Sequence, residues 1–310
     1  DLAIILVDAR KGLTEQSRRH ATLSSLLRVP HVVLAVNKMD LVGWSEDRFN
    51  EIYQEFTEFS AKLDIPDLTA IPLSALLGDN VVDRSVNMPW YDGASLMYHL
   101  EHVHIASDKN LQDVRFPVQY VIRPQHSEAR DYRGFAGQVA SGILKVGDEV
   151  MALPSGMTST IAAIDSPTGP VESAQPPQSV TVRLETEIDI SRGDIICRAG
   201  NHPEPTQDVD ATICWMDANA LTVGRKLGIL HTTRMARAMV KDIAYELDVN
   251  TLHRHTDVTE LGLNAIGRVK LRVTSPLLVD DYADNRTTGS FILIDEATNR
   301  TVGAGVVREH

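Results

Sequence analysis

Residues 2–8, LAIILVD, form a continuous apolar run that closes on an acid, the pattern of a strand buried on both faces of a parallel sheet. Thr14 stands where it can cap a helix running to about Leu27. HVVLAVN at 31–37 repeats the apolar run, and Ser45 opens a second helix with Glu46 and Asp47 at the positive end of its dipole. Phe49, Ile52, Tyr53, Phe56 and Leu63 recur at helical spacing and predict its buried face. A third strand is expected over 70–74, AIPLS, and a last helix near 93–101. Strand and helix alternating three times with short loops predicts a parallel sheet with right-handed crossovers.

The pattern changes after about residue 106. From 115 to 198 the chain reads as short alternating strands broken by Gly and Pro, including FPVQYVI, TSTIAAI, SVTVRLE and GDIICRA. Gly142, Gly147 and Gly156 fall where tight turns need a positive φ. A second β set runs from about Asp208 to the end, with DATICWM, GRVKLRV, GSFILID and TVGAGVV. SPTGPVESAQPPQ, 166–178, reads as a polar Pro-rich loop, and NHPEPTQD, 201–208, as the linker between two β domains. The expected division is an α/β half-domain over 1–106, a β-barrel over 107–205 and a second barrel over 206–310.

Charge narrows the classes. With 30 Lys and Arg against 42 Asp and Glu, the net charge of −12 opposes a body that grips nucleic acid through clustered cations. The 310 residues contain no apolar stretch long enough to span a bilayer and do not open like a signal peptide, so neither a membrane nor an export role is expected. Two cysteines, Cys197 and Cys214, make no disulfide framework and suit a cytoplasmic location. Cys214 alternates like a core strand position.

The chemistry concentrates in Asn37, Lys38, Met39 and Asp40, directly after a strand. An Asn-Lys-x-Asp loop at the carboxyl end of a parallel strand can recognise guanine. The Asp40 carboxylate accepts from the ring N1–H and from the exocyclic amine, a donor pair adenine lacks. The Asn37 amide steadies the loop and reaches the imidazole side of the base, while the Lys38 stem lies along its plane. Three fixed letters match by chance about 4 times in 100 chains of this length, so context has to decide. It comes from Ser74, Ala75 and Leu76 at the end of the next strand, where a Ser-Ala pair presents backbone N–H to the guanine carbonyl.

Other residues read more plainly. His102 with His104, and His253 with His255, lack a third ligand at metal spacing and are expected on the surface. Arg18, Arg19 and His20 read as a solvated helix face, Asp8 as structural, and Asp280 with Asp281 as a turn.

DLAIILVDARKGLTEQSRRH, the NKMD and the SAL resemble the second half of the nucleotide domain of translation-factor-type GTPases, and GQVASGILKVGDEVMALPSG resembles the β-barrel that follows it. RFPVQYVIRP at 115–124, TEIDISRGDII at 186–196 and NRTTGSFILIDEATNRTVGAGVV at 285–307 resemble the large GTPase subunit of heterodimeric sulfate adenylyltransferase. The resemblance implies an elongation-factor-like fold: a partial P-loop GTPase domain with a parallel sheet, then two all-β barrels. It implies GTP and Mg²⁺ as cofactors and a smaller catalytic subunit as partner. That subunit would form adenosine 5′-phosphosulfate and pyrophosphate from ATP and sulfate, driven by GTP hydrolysis, in sulfate assimilation and cysteine biosynthesis. Some members of that family continue directly into an adenylylsulfate kinase domain, and in a bifunctional parent, with the kinase fused rather than associated, it would begin where VREH stands.

The family's phosphate loop, G-x-x-x-x-G-K-[ST], and its Asp-x-x-Gly segment are absent from these residues, so no catalytic residue is assigned. Phosphate and Mg²⁺ contacts are expected in an N-terminal part of about a hundred residues, and the fragment alone is expected to be inactive. The alternative is an elongation-factor-type GTPase that binds aminoacyl-tRNA, which the acidic balance opposes.

Overall fold

The computed structural model describes residues 1–105, 110–124, 132–203 and 205–308. The chain forms two compact units, one of Asp1–Ser107 with Asp248–His253, the other of Asp108–Leu247 with Arg254–His310. The expected boundary at 106/107 and the VREH terminus at 309–310 lie outside the described residues.

In the first unit, β1 (Leu2–Asp8), β2 (His31–Asn37) and β3 (Asp67–Pro72) make a parallel sheet in that order, with Asp8 in register with Asn37. The helices are α1 (Glu15–Leu26), α2 (Glu46–Ser60) and α3 (Leu96–His102). The two caps form as their sequences predict: Thr14 accepts from the Ser17 N–H and Ser45 from the Arg48 N–H. Ile5, Val7, Val32, Leu34 and Val36 pack with Ala21 of α1 and Phe49, Ile52, Phe56 and Phe59 of α2. Val33, Ala35, Ile71 and Leu73 turn to the opposite face, where Leu96 of α3 and Tyr91 meet them.

Several expectations need correction. β1 is not buried on both faces: it is the edge strand, Ile5 and Val7 are covered, and Ile4 and Leu6 stay exposed. On α2, Phe59 replaces Tyr53, which lies on the exposed side, and Leu63 falls beyond the helix end at Ser60. The third strand begins at Asp67, earlier than the expected 70–74, and the last helix starts at Leu96, because Ser95 is its N-cap. Arg18 does not face solvent alone; it pairs with Glu55 of α2 at 2.7 Å and lies over the Phe59 ring.

The second unit holds two closed six-stranded barrels. The first runs Ser179–Leu184, Gly134–Gln138, Arg115–Ile122, Ile195–Cys197, Glu149–Leu153, Met157–Ser166 and back to Ser179–Leu184. The second runs Lys226–His231, Ser290–Ile294, Thr301–Val307, Pro205–Trp215, Ile266–Leu278, Arg234–Leu247 and back to Lys226–His231. Phe116, Phe135, Ile161 and Ile196 are buried in the first core, and Trp215, Ile213, Val269 and Phe291 in the second. Gly142, Gly147 and Gly156 do adopt positive φ. The 166–178 stretch is less of a loop than its composition predicts, since it holds strands Gly169–Val171 and Ser173–Ala174. The predicted linker over 201–208 is strand from Pro205 onward. Its residue 204 lies outside the described residues.

The cysteines change places in the reading. Cys214 is only half-buried, because Ile213 and Trp215 on either side of it take the interior, whereas Cys197 is fully buried. Burial pushes the Cys197 thiol up to about 11, which leaves little thiolate for redox chemistry at neutral pH.

The barrels are joined by buried polar contacts. Arg115, 3% exposed, makes a two-pronged pair with Asp280, Nε to Oδ2 at 2.9 Å and Nη2 to Oδ1 at 2.8 Å. Asp280 also accepts from the Thr288 hydroxyl, and the Thr288 carbonyl accepts from the fully buried His231 at 2.7 Å. Burial lowers the His231 pKa and holds the ring neutral. Asp280 is therefore a joint between the barrels rather than a simple turn residue.

Candidate functional site

The parallel register brings the carboxyl ends of three strands together, and Asp8, Asn37 and the 73–77 segment meet there. β2 ends at Asn37. Lys38 follows with φ 67° and ψ 36°, a left-handed conformation that a non-glycine residue adopts only when its surroundings enforce it. Met39–Val42 then make one turn of 3₁₀ helix. That turn is anchored through Met39, whose side chain is fully buried and whose N–H donates to the Leu73 carbonyl at 3.2 Å.

Asn37 couples the two loops. Its Oδ1 accepts from the Lys38 N–H at 2.7 Å and from the Ala75 N–H at 3.0 Å, so one side-chain carbonyl holds NKMD and SAL in fixed relation. Its Nδ2 makes no hydrogen bond among the described residues and remains available as a donor. Asp40 likewise has no hydrogen-bond or ion-pair partner among the described residues, although its side chain is only partly exposed.

The SAL loop differs from the expectation in one respect. Two of its three amides are taken internally: Ser74 N–H donates to the Asp79 carbonyl at 3.1 Å, and Ala75 N–H to Asn37. The loop amide left without a partner among the described residues is therefore that of Leu76, and Leu76 itself is exposed. Ser74 contributes through its hydroxyl, which accepts from Leu77 N–H at 3.3 Å and tightens the turn.

Asp79 is a residue that motif reading overlooks. It lies 9% exposed, with its carboxylate accepting from Trp44 Nε1–H at 3.1 Å, the Ser85 hydroxyl and Asn87 Nδ2–H at 3.1 Å. Burial pushes its carboxyl up, but the hydrogen bonds from Ser85, Trp44 and Asn87 outweigh that and hold it below the ordinary range. Trp44 belongs to the segment after NKMD and Ser74 binds the Asp79 main chain, so this residue braces both loops. Asn80 adds to the brace: Nδ2–H donates to the Pro72 carbonyl and Oδ1 accepts from Ser85 N–H, both at 2.8 Å. An acid five residues after Ser74 is the local signal; Ser85 and Asn87 follow it closely, but its Trp44 donor lies 35 residues away in sequence.

Asp79→Ala strands three donors and is expected to cost about 2 kcal/mol of stability in the first unit, measured by denaturant unfolding. Asp79→Asn, which keeps some acceptor capacity, is expected to cost less, and equal losses in the two variants would contradict the brace.

Among the described residues no group of three or more His, Cys, Asp and Glu is arranged to hold a metal ion. No helix of the described residues is long and apolar enough to cross a membrane.

Two protein-family models match the chain. The model described as the elongation factor Tu GTP binding domain matches residues 1–132, and the GTP-eEF1A C-terminal domain-like model matches 208–308. The bifunctional enzyme CysN/CysC of Mycobacterium tuberculosis is 59% identical over 307 residues, covering 99% of this chain and 50% of that protein. Sulfate adenylyltransferase subunit 1 of Bacteroides fragilis is 52% identical over 293 residues, covering 94% of this chain and 60% of that one. A crystal structure of sup35 complexed with GMPPNP aligns over 99% of this chain and 78% of its own, with a TM-score of 0.59 at 23% identity, a likeness of fold. The chain thus spans about half to three fifths of these two relatives' length.

A parallel sheet followed by two closed barrels is the fold of the translation-factor GTPase superfamily. Within that superfamily the chain belongs to the sulfate adenylyltransferase subunit 1, or CysN, branch.

Proposed function

We propose that these residues carry the guanine-recognition half of a GTPase subunit of sulfate adenylyltransferase. The observation that carries the reading is the unpaired Asp40 carboxylate, set beside two loops that Asn37 locks together. Asp40 accepts from guanine N1–H and the exocyclic amine, Asn37 Nδ2 reaches the imidazole side, Leu76 N–H donates to the carbonyl, and the Lys38 stem covers the ring. Ser74 and Ala75 hold that shape from behind. Adenine would leave Asp40 unsatisfied, which is the source of base selectivity.

In the whole protein, GTP binding and hydrolysis are proposed to favour adenosine 5′-phosphosulfate and pyrophosphate formation from ATP and sulfate on a smaller partner subunit. Mg²⁺ would accompany the GTP phosphates and neutralise their charge. An adenylylsulfate kinase, fused or associated, would act on the product, as the paired name of the Mycobacterium relative suggests. We further propose domains over 1–106, 107–205 and 206–310, and a cytoplasmic location.

The test is co-expression of the full-length protein with a smaller sulfate adenylyltransferase subunit. Pyrophosphate release from ATP is expected to require sulfate and to be stimulated by GTP. Sulfate-independent release, or tight retention of aminoacyl-tRNA on a filter, would overturn the assignment.

A further inference from the structure

Asp8 lies at the end of β1, directly across from Asn37 in the sheet register. Its carboxylate collects two cations. Arg10 gives it Nε–H to Oδ1 at 3.0 Å, Nη2–H to Oδ2 at 2.7 Å, and its backbone N–H to Oδ1 at 3.0 Å. Lys38 Nζ donates to Oδ2 at 3.0 Å. Lys38 is thus pinned at both ends, its N–H on Asn37 and its ammonium on Asp8, and its four-carbon stem spans the interval.

Both cations lie near Asp40. Lys38 is two residues before it in the same loop, and Arg10 is close enough that Asp40's field reinforces its charge, after the larger effects of its hydrogen bond to Asp8 and Asp8's own field. Asp40 is the other carboxylate at this end of the sheet, and it has no hydrogen-bond or ion-pair partner of its own among the described residues. A neutralised Asp40 has lost part of its acceptor strength, since a carboxylate engaged by Lys or Arg offers fewer lone pairs to a base. Arg10 in turn keeps the Asp8 carboxyl well below the usual carboxylate range, so Asp8 stays ionised across the physiological range.

We propose that Asp8 is a positioning residue for base recognition: by holding Lys38 and Arg10 it keeps both cations off Asp40, so that the Asp40 carboxylate meets guanine unpaired. This rests on the assignment of Asp40 to the guanine donors and adds the device that keeps it open. Asp8 touches no part of the base; it acts through Lys38 and Arg10. Asp8 is the more enclosed of the two partners in its pair with Lys38, with a side chain 18% exposed against 45% for the lysine, and its backbone is fixed in the sheet.

The experiment uses the full-length protein, with GDP and IDP as probes. IDP lacks the exocyclic amine, so the ratio of the two affinities reports on Asp40's second acceptor position. Asp8→Asn is expected to weaken GDP binding about tenfold and IDP binding less, narrowing the ratio. In a Lys38→Met, Arg10→Met background, where no cation is left to release, the same substitution is expected to change GDP binding by less than about twofold. If Asp8→Asn does not fold, Asp8→Ser replaces it in the same cycle.

An equal loss for GDP and IDP, or the same loss in both backgrounds, would mean that Asp8 merely supports the strand end and would overturn the proposal. Absence of any GDP preference over IDP in the unsubstituted protein would instead strike the guanine assignment itself, so the two failures are distinguishable.

Discussion

Asp40→Asn in the full-length protein is expected to exchange guanine for xanthine nucleotides. The carboxylate accepts two hydrogen bonds, from N1–H and the exocyclic amine. An amide can accept only one of them and turns an N–H toward the other position, where guanine also presents an N–H. Xanthine carries a carbonyl there and can accept. Losing a charge-assisted bond and opposing two donors costs about 2–4 kcal/mol, roughly a 30- to 1000-fold fall in GDP affinity. Competition between GDP and XDP measures it, and unchanged selectivity would sink the role of Asp40. The fold should tolerate the change, because the turn is anchored by the buried Met39 and by Trp44 N–H on the Met39 carbonyl at 2.8 Å. Asp40 supplies none of these contacts.

The second large effect belongs to the joint between the barrels. Arg115→Ala leaves Asp280 mostly buried and deprived of its two-pronged partner, with Thr288 as its remaining donor. Removing one member of a buried pair costs about 3–5 kcal/mol, much of it the penalty of an uncompensated charge. Replacing both by apolar residues, Arg115→Met with Asp280→Leu, is expected to cost much less, because no orphan charge remains. Urea unfolding of the barrel unit compares the two. A double substitution as damaging as the single one would show that the pair is valued for something other than charge compensation.

The elements that were legible from the sequence are those whose causes are local. The caps at Thr14 and Ser45 need only three residues to satisfy an N–H, and the NKMD and SAL loops sit where an apolar run stops. Asp79 was missed because its Trp44 donor lies 35 residues away, and Arg115 because Asp280 lies 165 residues away. No periodicity encodes such pairings. β1 shows where composition stops: LAIILV has the composition of a strand covered on both faces, but its apolar edge is unpaired, since it pairs only with β2 and Ile4 and Leu6 are uncovered. Cys214 misled because two-residue alternation was counted from the wrong neighbour. Asp8 was read as structural, and its carboxylate is indeed structural toward Arg10; its grip on Lys38 appears only when two strand ends are set side by side.

Closure of the barrels has one further consequence. A closed ring of strands counts its registers in whole residue pairs, so a one-residue insertion cannot be absorbed by one strand sliding past a neighbour. It has to be extruded where it arises. The register shift between Val118 and Tyr120 is such a place: Gln119 is the surplus residue. The Val118 carbonyl there accepts instead from Gly193 N–H at 3.0 Å and from the Thr233 hydroxyl of the other barrel at 2.8 Å. An arithmetic misfit within one barrel has thus become a point of attachment for the next, and deleting Gln119 would restore a regular ladder at the expense of that junction.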